Sequence, residues 1–187
     1  MASPSPDAEH QLQRLDAQLR AEPSASLVLT TWCRERGLMG PADTLRAIAS
    51  DQTGPEPASL RRDLRIGPGQ SVRRRHVQLL CGEHVVSQAD NFYLPGRLTP
   101  AMNHDLETTG HPFGIVVRDL HFTRRRLEAG TPPSAAACLA GKGVGAAGAV
   151  LRHRALLTGA DGSPFSEVVE TYQCAVLSGA RPRAASR

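Results

Sequence analysis

The sequence predicts an α+β fold, a single antiparallel β-sheet flanked by helices, and three observations carry that expectation. Apolar residues recur at helical spacing up to about Ala49 and at a period of two afterwards. The later segments are separated by hairpin-type turn residues rather than by crossovers of helical length. Helices first and strands after is the element order of an α+β domain.

Taken in order, residues 1–7 read as a Pro/Ser tail expected to be disordered. Leu12, Leu15 and Leu19 give an amphipathic helix that ends before Pro23. Ser24 or Ser26 can cap a second helix through Leu27–Arg36, closed by Gly37. A third helix is expected over Ala42–Ala49, with Leu45 and Ile48 inward. After a Pro-containing turn region, Arg73 to Cys81 alternate as a strand, and Gly82-Glu83 turns the chain into a second strand that Pro95 ends. Thr99 before Pro100 is an N-cap followed by proline at the first helical position, opening a helix that Gly110 stops. Residues 114–128 are apolar and then alternating, a strand or short helix followed by a strand. The small-residue stretch from Gly130 to Ala149 reads as a flexible loop. Its Gly141-Lys142-Gly143 lacks the Ser or Thr that a phosphate loop needs after the lysine. A last hairpin turns at Ala160-Asp161-Gly162. The domain boundaries expected are a tail and short helix over 1–22, one folded domain over 23–178, and a disordered basic tail over 179–187.

At 187 residues the chain can bury a real core, although aromatic content is only 4%. The net charge of +4 suits an anionic partner, but aromatics do not interleave with the basic residues and no helix-turn-helix or zinc-finger pattern occurs. Nucleic acid is therefore not expected. Cys33, Cys81, Cys138 and Cys174 stand singly, without a C-x-x-C pair, and read as reduced thiols; Cys81 with His84 is half a metal site at best. No metal is expected. The N-terminus lacks an apolar signal core and no stretch approaches a membrane span, so a cytoplasmic protein away from membranes is expected, monomer or dimer.

The candidate chemistry lies between two arginine clusters, Arg73-Arg74-Arg75 and Arg124-Arg125-Arg126: a small sheet edged by guanidinium groups would hold a small anion. Arg75 sits mid-strand in phase with Val77 and Leu79, where a charge needs a partner or a ligand. Arg152 and Arg154, expected to face opposite sides of their strand, are candidates for a second carboxylate, or else belong to a solvated strand face. Glu167 and Glu170 differ in strand parity, so one points inward, as a general base or as a partner to Arg152 or Arg154. No serine has a nucleophile-elbow context.

The ordered strings RRHVQLLCGEHVVSQADNFYLP, RLTPAMNHDL, HPFGIVV and LRHRALLTGADGSPFSEVVETY resemble the chorismate pyruvate-lyase-like superfamily, over roughly residues 25 to 177. That superfamily includes the UTRA effector-binding domains of bacterial transcription regulators. The resemblance implies a chorismate lyase-like sheet with an enclosed ligand site and no metal or cofactor. It implies one of two functions: an enzyme eliminating pyruvate from chorismate to leave 4-hydroxybenzoate, or a non-catalytic binder of an aromatic or anionic effector. Carried over by position, Arg75 would hold the ring carboxylate, the Phe113-Gly114 turn would offer backbone hydrogen bonds, and Glu170, two before Tyr172, would meet the ring hydroxyl. Glu167 is the competing assignment, and Arg152 or Arg154 would steady the enolpyruvyl carboxylate. Such a site would work by positioning and charge stabilisation. Asp90 departs from the pattern: a carboxylate near the ligand would repel an anionic substrate.

Overall fold

Alternation from Arg73 onward becomes one continuous sheet. A computed structural model of the chain describes residues 6–50, 55–141 and 148–179. Among the described residues the strands are β1 (Arg46–Ala49), β2 (Arg73–Cys81), β3 (His84–Tyr93), β4 (Thr123–Gly130), β5 (Ala149–Thr158) and β6 (Pro164–Gln173). They form one sheet in the order β1-β2-β3-β6-β5-β4, every pairing antiparallel. The β2–β3 turn needs its glycine: Gly82 has φ +56, and a Cβ there would meet the Leu38 carbonyl at 2.9 Å.

The helices are α1 (Pro6–Ala21), α2 (Ala25–Glu35), α3 (Leu60–Asp63), α4 (Pro100–Thr108), α5 (Phe113–Val116) and α6 (Ala135–Leu139). Ser24 caps α2 by accepting from the Leu27 amide, and Thr99 caps α4 by accepting from Met102. One sheet face is covered twice. At one end α1 and α2 pack Leu15, Leu19, Leu29 and Trp32 onto Val77, Leu79 and Tyr172. At the other, Leu106 of α4 and Phe113 of α5 join Tyr93, Phe165 and Val168. The opposite face carries α3, whose Leu60 packs with Phe92, Leu94 and Leu156.

Three expectations are corrected. The segment read as a helix over 42–49 contains β1, an edge strand with Ala47 buried and Ile48 46% exposed. So short a stretch before a proline-rich turn propagates a helix poorly, and the free edge of β2 supplies partners instead. The stretch read as a flexible loop from Gly130 to Ala149 contains α6, tied down where Ser134 Oγ donates to the Ala149 carbonyl and accepts from its amide, each at 2.9 Å; residues 142–147 lie outside the described residues. The four cysteines, expected as thiols, form the disulfides Cys33–Cys81 and Cys138–Cys174, with Cα separations of 6.2 and 5.4 Å. Spacing along the chain could not reveal partners 48 and 36 residues apart.

Among the described residues no helix is long and apolar enough to cross a membrane.

A candidate anion site between two cores

Residues directly opposite in an antiparallel sheet project to the same face. One such row is Arg75, Asn91, Val168 and Ala155; the next is Val77, Ala89, Glu170 and His153. Both rows face α1, α2, α4 and α5. Between the two cores on this face lies a narrow cavity with about 30 Å³ of space for water centres, room for roughly two waters. Its floor is Val77, Ala89, Asn91, Val168 and Glu170, and its roof is the start of α2 at Ser24 and Ser26 and the start of α5 at Phe113 and Gly114. Gly114 is required for that closure, because a Cβ would come within 2.7 Å of Ser24 Oγ. Phe122 and Arg124 complete the wall, and the Phe113 ring stands 5.5 Å from that of Tyr93.

Glu170 and Arg124 are the charged groups of the wall. Glu170 Oε2 accepts from Arg124 Nη2 and from the Tyr172 hydroxyl at 2.9 Å. Arg124 Nη1 donates to the Leu19 carbonyl at 2.9 Å, while its Nε is buried without a partner. Burial opposes the Arg124 charge, yet Glu170 and Tyr172 beside it hold its pKa above the ordinary guanidinium value. The Tyr172 hydroxyl, fully buried and next to Glu170, has its pKa pushed well up and stays a donor.

Arg75 lies two positions from Val77 on the same face and is 9% exposed. Its Nη2 donates to the Thr109 carbonyl at 3.2 Å, and Nη1 is buried with no partner. Burial lowers its pKa, with Tyr93 and Asp105 opposing. His153 is fully buried, its Nε2 2.9 Å from Asp16 Oδ1 and its Nδ1 unpartnered. Burial first, and Arg124 next, lowers its pKa.

Of the residues singled out from the sequence, Arg75, Glu170, Phe113 and Gly114 meet on this face. Glu167, Arg152 and Arg154 do not: strand parity sends all three to the opposite face. There Glu167, fully buried, accepts through Oε1 from Arg154 at 2.9 Å, and burial pushes its carboxyl pKa up against the pull of Arg154. Arg154 also reaches Glu128 at 2.7 Å and Ser59 at 2.7 Å, and Arg152 is 47% exposed. Asp90 is likewise on the opposite face, where Oδ1 binds Arg74 and lies 2.9 Å from His76 Nδ1, so the repulsive carboxylate expected near a ligand is not in the cavity. Arg124 stood out in the sequence only as one of a cluster, and Asn91 and the serines of the roof carry no site signal there. The signal for Arg124 lay in its own cluster, since alternation puts Arg124 and Arg126 on one face of a strand.

No family model matches the chain. The uncharacterized protein y4mC of Sinorhizobium fredii (strain NBRC 101917 / NGR234) is 38% identical over 179 residues, covering 89% of this chain and 75% of the relative. The chain belongs to the y4mC family. Solved structures with similarity to this member of the y4mC family include the ligand-binding domain of a putative GntR-family transcriptional regulator from Bordetella bronchiseptica, with TM-score 0.46, 17% identity, 71% of this chain and 85% of that one. The effector domain of PhnF from Mycobacterium smegmatis has TM-score 0.45, 15% identity, 70% of this chain and 81% of that one. The possible transcriptional regulator YydK from Bacillus subtilis subsp. subtilis str. 168 has TM-score 0.45 and 13% identity over 76% of this chain; the chain spans 63% of that regulator, less than two thirds of its length.

Proposed function

We propose that the chain binds a small organic anion of the aromatic carboxylate class at the cavity between the sheet and the starts of α2 and α5, the roof parting to admit a ring larger than the space for two waters, and that it binds this ligand without turning it over. One observation carries the reading: Arg124 Nε, on the cavity wall, is a buried donor without an acceptor, and so is Arg75 Nη1, beside Asn91 on the same sheet face but outside the cavity lining. A buried donor left unpaired costs about 1–3 kcal/mol, more when charged, and an incoming carboxylate would offset that cost. Phe113, Phe122 and Val168 supply apolar walls for a ring. An effector-binding role also accords with the motif order shared with UTRA domains.

Pyruvate elimination from chorismate is the second reading, favoured by the convergence of Arg75, Glu170 and Phe113 on one face. Against it, Glu170 Oε2 is already engaged by Arg124 and Tyr172, and Arg152 and Arg154 are remote from the cavity. The test pairs two measurements. In thermal shift, 4-hydroxybenzoate is expected to raise the melting temperature progressively with concentration, and R75Q and R124Q to abolish the rise. With chorismate, a coupled assay is expected to detect no pyruvate above the uncatalysed rate. Sustained pyruvate release would establish the lyase instead. Unaltered binding by both arginine variants would sink the site.

A further inference from the structure

Arg124 belongs to two structures at once. Its Nη2 holds Glu170 on the cavity floor, and its Nη1 donates to the Leu19 carbonyl in the last turn of α1. The same helix is held a turn earlier by Asp16, whose Oδ1 is 2.9 Å from His153 Nε2 and 3.4 Å from Arg126 Nη1, while Oδ2 takes Arg20 at 3.2 Å. His153 is the cross-strand neighbour of Glu170 and packs edge-on against Tyr172. The chain leaving α1 runs directly into Pro23–Ser26, which roofs the cavity. Among the described residues, the side-chain contacts that tie the last two turns of α1 to the sheet therefore run to Arg124, Arg126 and His153, on or beside the site.

Resting on the anion-binding reading, we propose that docking of α1 and binding of a carboxylate at Arg124 are coupled, each favouring the other. A carboxylate is a strong acceptor for a guanidinium N–H, and Nε of Arg124 is the buried donor without an acceptor, next to the Nη2 that holds Glu170. Docked α1 fixes the far side of the same group through Leu19, so the ligand meets a donor already oriented. Conversely, a bound anion holds Arg124 in the pose from which it donates to the Leu19 carbonyl. Such linkage is reciprocal: whatever factor the ligand adds to α1 docking, α1 docking adds to ligand affinity.

The experiment measures both directions on the full chain, with 4-hydroxybenzoate as probe. Hydrogen exchange of peptides covering 6–21 is expected to slow when the probe is added. In D16A, which removes an anchor of α1 without touching the cavity wall, probe affinity is expected to fall about fivefold or more. If the probe raises the melting temperature but leaves exchange in 6–21 unchanged, the coupling is overturned while the binding function stands. If D16A binds as tightly as wild type with α1 exchanging faster, the coupling is likewise overturned. If wild type does not bind the probe at all, the binding function falls, and the coupling with it.

Discussion

His153 illustrates how a single side chain senses its surroundings. It is sealed from solvent, and burial together with the nearby Arg124 guanidinium lowers its pKa below the ordinary 6.5, against the pull of Glu170 and Asp16. An unfolded chain takes up a proton at this imidazole near pH 6.5, whereas the native one resists until lower pH. The contribution to stability is thus complete above that pH and is lost as pH falls beneath it. Melting temperature is expected to drop between about pH 7 and pH 5, and H153Q to flatten the drop. The comparison with the variant isolates the imidazole from Glu167, whose raised carboxyl pKa weakens the fold in the other direction, as pH rises. At this scale the sequence was half legible. Alternation tells that Glu167 and Glu170 part company, whereas the expectation that Arg152 and Arg154 face opposite sides fails, since residues two apart in a strand share a face. Which face meets the cavity depends on where α1 and α2 pack, and no residue within the strand records that.

At the scale of elements, the roof depends on two short helix starts meeting closely. With Gly114 replaced by Ala, the added methyl would lie 2.7 Å from Ser24 Oγ and 3.3 Å from Ser26 Oγ. Serine 24 is not free to swing away, since it caps α2. G114A is expected to cost about 1–3 kcal/mol in urea unfolding by forcing α2 and α5 apart. A midpoint equal to wild type would show that the roof gives more readily than the geometry implies. The elements legible beforehand were those with local causes: leucine spacing for α1, the Thr99-Pro100 start of α4, and the glycine turns of both hairpins. Those misread had remote causes. Residues 46–49 become a strand because β2 offers an edge, and α6 is settled by Ser134 bonding to Ala149.

For the molecule as a whole, the disulfides carry the sharpest consequence. Cys33–Cys81 ties α2, hence the roof, to the end of the strand that bears Arg75, and Cys138–Cys174 ties α6 to the end of β6. Peptide mapping without reductant is expected to recover these two pairs. Loss of the Cys33–Cys81 link is expected to lower unfolding free energy by about 3–4 kcal/mol, from the loop it closes. Four titratable thiols in protein folded under oxidising conditions would refute the pairing. Reduced cysteines in the cytoplasm, as read from their scattered spacing, stand at odds with it, since cytosolic thiols are kept reduced.

The two rims of the sheet have one more effect. An open sheet invites further strands to add at its ends. Here the β1 rim is occupied, with the Ala47 amide donating to the Gly110 carbonyl at 2.7 Å, and the β4 rim carries the exposed Arg125 and Arg126, while Arg124 turns inward to Glu170. Two copies meeting through β4 would set cation against cation. Runaway fibre growth is thus discouraged at one end by a cap and at the other by repulsion.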